Sequence, residues 1–121
     1  MSKVLIIDDS KTVRDYHKYI FEDAKIECIE AENGMEGLEK IASDNSVDMF
    51  LVDINMPIMD GYSFVEKLRE NPNYATTPVI MISTEAEKQD RQKAYASGAN
   101  CYFVKPVKPD SLIKTAQILM Q

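Results

Sequence analysis

Met49-Phe50-Leu51-Val52-Asp53-Ile54-Asn55-Met56-Pro57-Ile58-Met59-Asp60-Gly61 is an apolar run that ends in a carboxylate and passes at once into a turn. Apolar residues bounded in this way read as a buried strand, with Asp53 held as a reactive group at its exit. The same pattern recurs along the chain. Val4-Leu5-Ile6-Ile7 ends in Asp8-Asp9, Val79-Ile80-Met81-Ile82 in Ser83, and Tyr102-Phe103-Val104 in Lys105-Pro106. If these runs are neighbouring parallel strands, three carboxylates, a hydroxyl and an ammonium meet at one edge of a sheet. That set suits a metal ion and a phosphoryl group.

The strand-like runs Val4–Ile7, Ile26–Ile29, Met49–Val52, Val79–Ile82 and Cys101–Val104 alternate with segments of helical spacing. Such alternation predicts repeated βα units on a parallel sheet. The first helix is read from Val13, Ile20, Phe21 and Ala24, and the second from Met35, Leu38, Ile41 and Ala42. The third rests on Phe64, Val65 and Leu68, and the fifth on Leu112, Ala116 and Leu119, with Asp110 or Ser111 as its N-cap. The fourth differs, because Glu87 to Lys93 contains no apolar residue, so that helix is expected to be weakly anchored. Right-handed crossovers then give an α/β fold, a flavodoxin-like doubly wound (βα)5 sandwich with a parallel five-stranded sheet in the order 2-1-3-4-5. Its ligand site is expected beyond the strands' carboxyl ends, between strands one and three, where Asp8, Asp9 and Asp53 fall.

A chain of 121 residues, 45% of them hydrophobic, is expected to form one domain over residues 1–121. Its formal net charge of -6 argues against nucleic acid and anionic membranes as partners. Cys28 and Cys101 form no C-x-x-C pair and no metal spacing with the only histidine, His17, so they read as reduced core residues. No apolar run is long enough for a membrane span or a signal peptide, and with reduced cysteines the expectation is a cytoplasmic protein, expected also to be a monomer. His17 itself reads as a residue on the helix surface.

Three carboxylates close together repel one another, and a hard divalent ion relieves that repulsion. Asp8, Asp9, Asp53 and the main-chain carbonyl of Asn55 in the following loop would form a Mg2+ site. Asp53 would then attack a phosphoryl donor as a carboxylate nucleophile, with Lys105 and Ser83 holding phosphoryl oxygens. Asn55 and Glu85 flank the expected phosphoryl position and would orient an attacking water, with Thr84 beside them. Each piece also has a plainer reading: Asp8-Asp9 before Ser10 as a helix N-cap, Asp60-Gly61 as a turn, Ser83 as a strand end, and Lys105 as an exposed lysine. The agreement of all the strand ends favours the chemical reading.

Ile6-Ile7-Asp8-Asp9-Ser10, Val52-Asp53-Ile54-Asn55-Met56-Pro57, Met59-Asp60-Gly61, Ser83 and Lys105-Pro106 together resemble the receiver domain of two-component response regulators. The resemblance runs from Lys3 to the last helix. It implies Asp53 as phosphoacceptor, Asp8 and Asp9 as the acidic pair, Ser83 as the switch hydroxyl and Lys105 as the partner lysine. It also implies a cis Lys105-Pro106 bond and a Tyr102 side chain that changes rotamer on activation. Partners implied are a sensor histidine kinase, a downstream protein target or phosphotransfer protein, and a phosphatase. Output is expected through the face made by helix four, strand five and helix five. Two positions depart from the usual pattern: Thr84 is larger than the residue commonly found there, and Val107 stands where many members carry Phe. The chain stops after helix five, which is expected of a stand-alone chemotaxis or phosphorelay receiver, a regulatory phosphoprotein rather than an enzyme. The nearest alternative is a receiver domain cut from a larger regulator. A magnesium-dependent aspartyl-phosphate phosphatase would need a second carboxylate two residues after Asp53, where Asn55 stands, and a flavin binder would not place Asp8-Asp9 against phosphate.

Overall fold

The central strands are short β-favouring runs buried on both faces, and the computed structural model, which describes residues 2–121, joins five strands into one parallel sheet. The strands are β1 (Lys3–Ile7), β2 (Glu27–Ala31), β3 (Met49–Asp53), β4 (Val79–Ser83) and β5 (Cys101–Val104). Their order is 2-1-3-4-5, as the sequence led us to expect. The helices between and after them are α1 (Lys11–Asp23), α2 (Gly34–Ser43), α3 (Gly61–Arg69), α4 (Lys88–Ser97) and α5 (Pro109–Leu119), with a 3-10 turn at Pro72–Tyr74. The register Ile7↔Val52, Asp53↔Ile82 and Ser83↔Val104 brings the ends of β1, β3, β4 and β5 to one edge.

Alternation along the strands sorts the core into two layers. Leu5, Ile7, Phe50, Val52 and Met81 pack with Ile41, Phe64, Val65, Leu68 and Ala94 on the face covered by α2, α3 and α4. Val4, Ile6, Met49, Leu51, Ile80 and Ile82 pack with Ile20, Phe21, Leu112 and Ala116 on the face covered by α1 and α5. Helix α4 contributes only Ala94 as a buried residue and has no side-chain cap at its N-terminus, as its polar composition led us to expect.

Several local expectations need correction. β2 begins at Glu27 rather than Ile26 and runs on to Ala31, because Lys3–Ile7 pairs with Glu27–Ala31 residue for residue. In α2, Met35 and Ala42 are exposed; the helix turns Gly34, Gly37 and Ile41 inward, and the two glycines let it approach the sheet. Helix α5 is entered through Lys108 with Pro109 in its first turn, so neither Asp110 nor Ser111 is the cap. His17 is not a surface residue: it is 1% exposed. Cys28 and Cys101 are free and half-buried, and burial pushes the Cys28 thiol up to about 12.

Candidate functional site

Asp53 is the last residue of β3 and is 4% exposed, Asp8 follows β1 at 0%, and Asp9 beside it faces solvent. One carboxylate oxygen from each of the three lies within 4.8 Å of the others. Lys105, just after β5, enters this cluster: its Nζ donates to Asp53 Oδ1 at 2.9 Å and to Asp8 Oδ2 at 3.1 Å. The Lys105-Pro106 bond that carries it is cis.

Local hydrogen bonds set these positions. The Ser10 N–H donates to Asp8 Oδ1 at 2.9 Å, and Ser10 Oγ accepts the Val13 N–H. Ser10 is therefore the cap of α1, and Asp8 and Asp9 are left for the cluster. On the other side of β3, Asp60 caps α3 by accepting the Ser63 N–H at 2.8 Å. Gly61 donates its N–H to the Ile54 carbonyl at 2.8 Å, and a Cβ at Gly61 would stand 2.5 Å from the Asp53 carbonyl oxygen, so only glycine lets the loop close this tightly.

Burial, reinforced by Asp8 and Asp9 and opposed by Lys105, pushes the Asp53 carboxyl from 3.8 up to about 6. For Lys105, burial disfavours the ammonium, but its hydrogen bond to Asp53 and the charges of Asp53 and Asp8 outweigh that and raise its pKa. At neutral pH the pair is therefore ionised. Asp53 Oδ2 and the Asp9 carboxylate accept no hydrogen bond from the described residues, which leaves hard oxygen donors without a partner there beside a fixed cation. Such a donor set fits a magnesium ion.

The remaining expected residues surround this cluster. Ser83 ends β4 at 1% exposure, and its Oγ accepts the Glu85 N–H at 3.1 Å rather than bonding to Asp53. Asn55, Thr84 and Glu85 are exposed at the mouth. Tyr102 is already turned inward, 3% exposed, and its hydroxyl donates to the Glu85 carbonyl at 2.6 Å.

Two buried polar residues were not anticipated as part of this region. Arg14 donates from Nη1 to the Asp8 carbonyl at 2.7 Å and from Nε to Glu30 Oε1 at 3.1 Å, tying α1 and β2 to the turn that carries the acidic pair. His17, three residues further on the same helix face, leaves Nδ1 without a partner, and burial lowers its pKa to about 4. It lines an apolar groove of about 480 Å³ with Val13, Tyr16, Lys105 and Val107. Their i, i+3 spacing was the signal available in the sequence, hidden by the polarity of the two side chains.

A family model described as the response regulator receiver domain matches residues 4–117. The chain is 34% identical over 119 residues to the chemotaxis protein CheY1 of Helicobacter pylori, covering 98% of this chain and 96% of that protein. It is 34% identical to the transcriptional regulatory protein SrrA of Staphylococcus aureus over 99% of its own length and 48% of the relative's, so it spans about half of that protein. Among solved structures, the chemotaxis protein CheY4 of Vibrio cholerae superposes with a TM-score of 0.92 at 37% identity, with 98% of each chain covered. Among the described residues no helix is long and apolar enough to cross a membrane. The chain belongs to the response regulator receiver domain family, whose members are regulatory phosphoacceptors of two-component signalling.

Proposed function

We propose that Asp53 is the phosphoacceptor and that residues 1–121 act as one receiver unit. The observation that carries this reading is the Asp53 carboxyl group, buried among Asp8, Asp9 and the Lys105 side chain. Above a pH of about 6 it is a carboxylate nucleophile with one oxygen, Oδ2, free of hydrogen bonds from the described residues. An Asp53 oxygen forms the new bond to phosphorus, the bond from phosphorus to the donor nitrogen of a phosphohistidine breaks, and the leaving imidazole keeps that electron pair and takes up a proton. Lys105 stays beside the new acyl phosphate and neutralises one of its oxygens. Ser83 gives up the Glu85 N–H and turns its hydroxyl to another.

Asp8, Asp9, Asp53 and the Asn55 main-chain carbonyl would hold a magnesium ion. When bound, the ion supplies positive charge to the phosphoryl oxygens during transfer. Self-dephosphorylation needs water at the open mouth, where exposed Asn55, Thr84 and Glu85 stand. The side chains at 55 and 84 then set the lifetime, and a bulky apolar residue at 55 should lengthen it. The chemistry is self-directed, and the protein turns over no outside substrate. The partners in this reading are a sensor histidine kinase on the input side, a downstream target or phosphotransfer protein on the output side, and a phosphatase, all in the cytoplasm. The output surface is the α4, β5 and α5 face.

The test is intact-mass measurement after incubation with acetyl phosphate. The expected result is a single phosphoryl adduct that needs Mg2+ and is weakened by Asp9→Ala. Equal labelling with and without Mg2+, in wild type and in Asp9→Ala alike, would overturn the assignment of the acidic cluster.

A further inference from the structure

Helix α4 is held in an uneven way. At its C-terminal end, Gly98 takes φ 120°, and Arg69 donates to its carbonyl from Nε at 3.1 Å and from Nη2 at 2.8 Å. The same guanidinium reaches the carbonyls of Tyr74 and Thr77. That end is pinned to α3 and the loop before β4. The N-terminal half has no cap and no buried side chain before Ala94.

What holds the N-terminal half is a pair of aromatic rings. Arg91 places Cζ 5.2 Å from the centre of the Tyr102 ring, and Lys93 places Nζ 4.6 Å from the centre of the Tyr62 ring. Two residues apart on a helix, these cations point to roughly opposite flanks, so α4 is gripped from β5 on one side and from α3 on the other. The Tyr62 hydroxyl adds a contact at 3.5 Å to the Asp90 carbonyl.

Tyr102 is inward although Ser83 is engaged with the Glu85 N–H and makes no hydrogen bond to Asp53 among the described residues. The inward ring therefore has a holder other than the site hydroxyl. The ring packs within the core layer that holds Tyr62, Met81 and Ala94, and its polar contacts are the Glu85 carbonyl, a main-chain atom in an exposed loop, and the Arg91 guanidinium.

We propose that Arg91 is a latch: its guanidinium over Tyr102 keeps that ring inward before any phosphoryl group arrives, so that the α4, β5 and α5 face is partly preset and its response threshold depends on residue 91. The consequence for signalling rests on the receiver reading above; the latch itself rests on the ring contacts. A cation over an aromatic face is attractive through the ring quadrupole, and guanidinium is the cation found there more often. Lys93 on Tyr62 keeps the helix close enough for Arg91 to reach.

The test uses the unphosphorylated, Mg2+-free protein with isotope-labelled tyrosine, the Tyr102 signals being assigned with Tyr102→Phe. Side-chain couplings and ring contacts give the inward-to-outward ratio. In Arg91→Met, which keeps an apolar stem and loses the charge, that ratio should fall about threefold to tenfold, and Arg91→Lys should recover part of it. A ratio in Arg91→Met equal to wild type would overturn the latch, because packing alone would then hold the ring. If α4 loses its amide protection in Arg91→Met, Lys93→Met is read instead: a fall in the Tyr102 ratio with α4 still protected supports the two-sided grip, and no change overturns it. Beryllium fluoride with Mg2+ is then titrated into wild type and Arg91→Met. The latch predicts a half-saturating concentration raised in proportion to the loss of the inward fraction in the variant, and equal values despite a lowered inward fraction would overturn the preset threshold. Failure of the wild type itself to bind beryllium fluoride would count against the phosphoacceptor reading, while the ring populations would still decide the latch.

Discussion

Lys105 Nζ lies 2.9 Å from Asp53 Oδ1, so the proposed nucleophile is ion-paired within the fold. The ammonium also reaches Asp8, and it is one cation among three carboxylates. It lowers the repulsion within the cluster without cancelling it. A divalent ion and Lys105 would therefore draw on the negative charge of the same carboxylates, and this competition has a measurable consequence.

Replacing Lys105 by Met removes the fixed cation and leaves the three carboxylates uncompensated. Mg2+ affinity should rise, by about threefold to tenfold at low ionic strength, where exposed charges are least screened. Titration calorimetry on wild type and variant measures this. Equal or weaker binding by Lys105→Met would contradict the competition.

His17 gives a pH dependence of known sign. Its pKa is lowered from 6.5 to about 4 in the folded protein, mainly by burial, which the Asp8 charge partly opposes and the Lys105 charge reinforces. Between those values the unfolded chain takes up a proton that the folded one does not, so this group's share of stability is intact above 6.5 and is lost as the pH falls toward 4. Asp53 acts in the opposite sense over part of the range, since its raised pKa favours the folded state in acid. Comparing wild type with His17→Leu isolates the histidine. Urea unfolding should show the wild type losing roughly 2–3 kcal/mol more than the variant between about pH 7 and pH 4.5. Parallel losses would show that the imidazole is not held neutral.

Ile58, at the tip of the loop after β3, is 79% exposed with φ 71°. A β-branched residue in the left-handed region is strained, whereas asparagine accepts that conformation. Ile58→Asn should raise stability by about 0.5–1 kcal/mol in urea unfolding, since the side chain has little packing to lose. A destabilised variant would mean that the exposed isoleucine makes contacts that matter.

The parts of the fold that were readable in advance are those where burial is carried by apolar residues alone. Met49–Asp53 and Val79–Ser83 are buried at every position, so run length and composition identified them and placed Asp53 and Ser83 at their ends. The edge strand β2 is half-exposed along most of its length, so its apolar pattern is weak and its limits were misplaced. In α2 the buried positions include Gly34 and Gly37, which carry no hydrophobic signal. Arg14 and His17 escaped because a periodicity argument counts them as polar, while in the folded chain Arg14 is satisfied by Asp8 and Glu30 and His17 is packed beside Tyr16. The Asp8, Asp9, Asp53 and Lys105 cluster was readable because topology alone brings the strand ends together. The inward Tyr102 ring was not, since a rotamer depends on Arg91 and the Glu85 carbonyl, neither of which has a fixed spacing from Tyr102.

Locating the phosphoryl group on the chain decides whether Asp53 is the phosphoacceptor. An aspartyl phosphate is an acyl phosphate, and borohydride reduces it to a homoserine side chain. Wild-type protein treated with acetyl phosphate and Mg2+, reduced and digested, should yield homoserine at position 53 and unmodified aspartate at positions 8, 9 and 60 by tandem mass spectrometry. Asp53→Asn should yield none. Homoserine at Asp8 or Asp9 in the wild type, or labelling that persists in Asp53→Asn, would contradict the assignment of Asp53 as the phosphoacceptor.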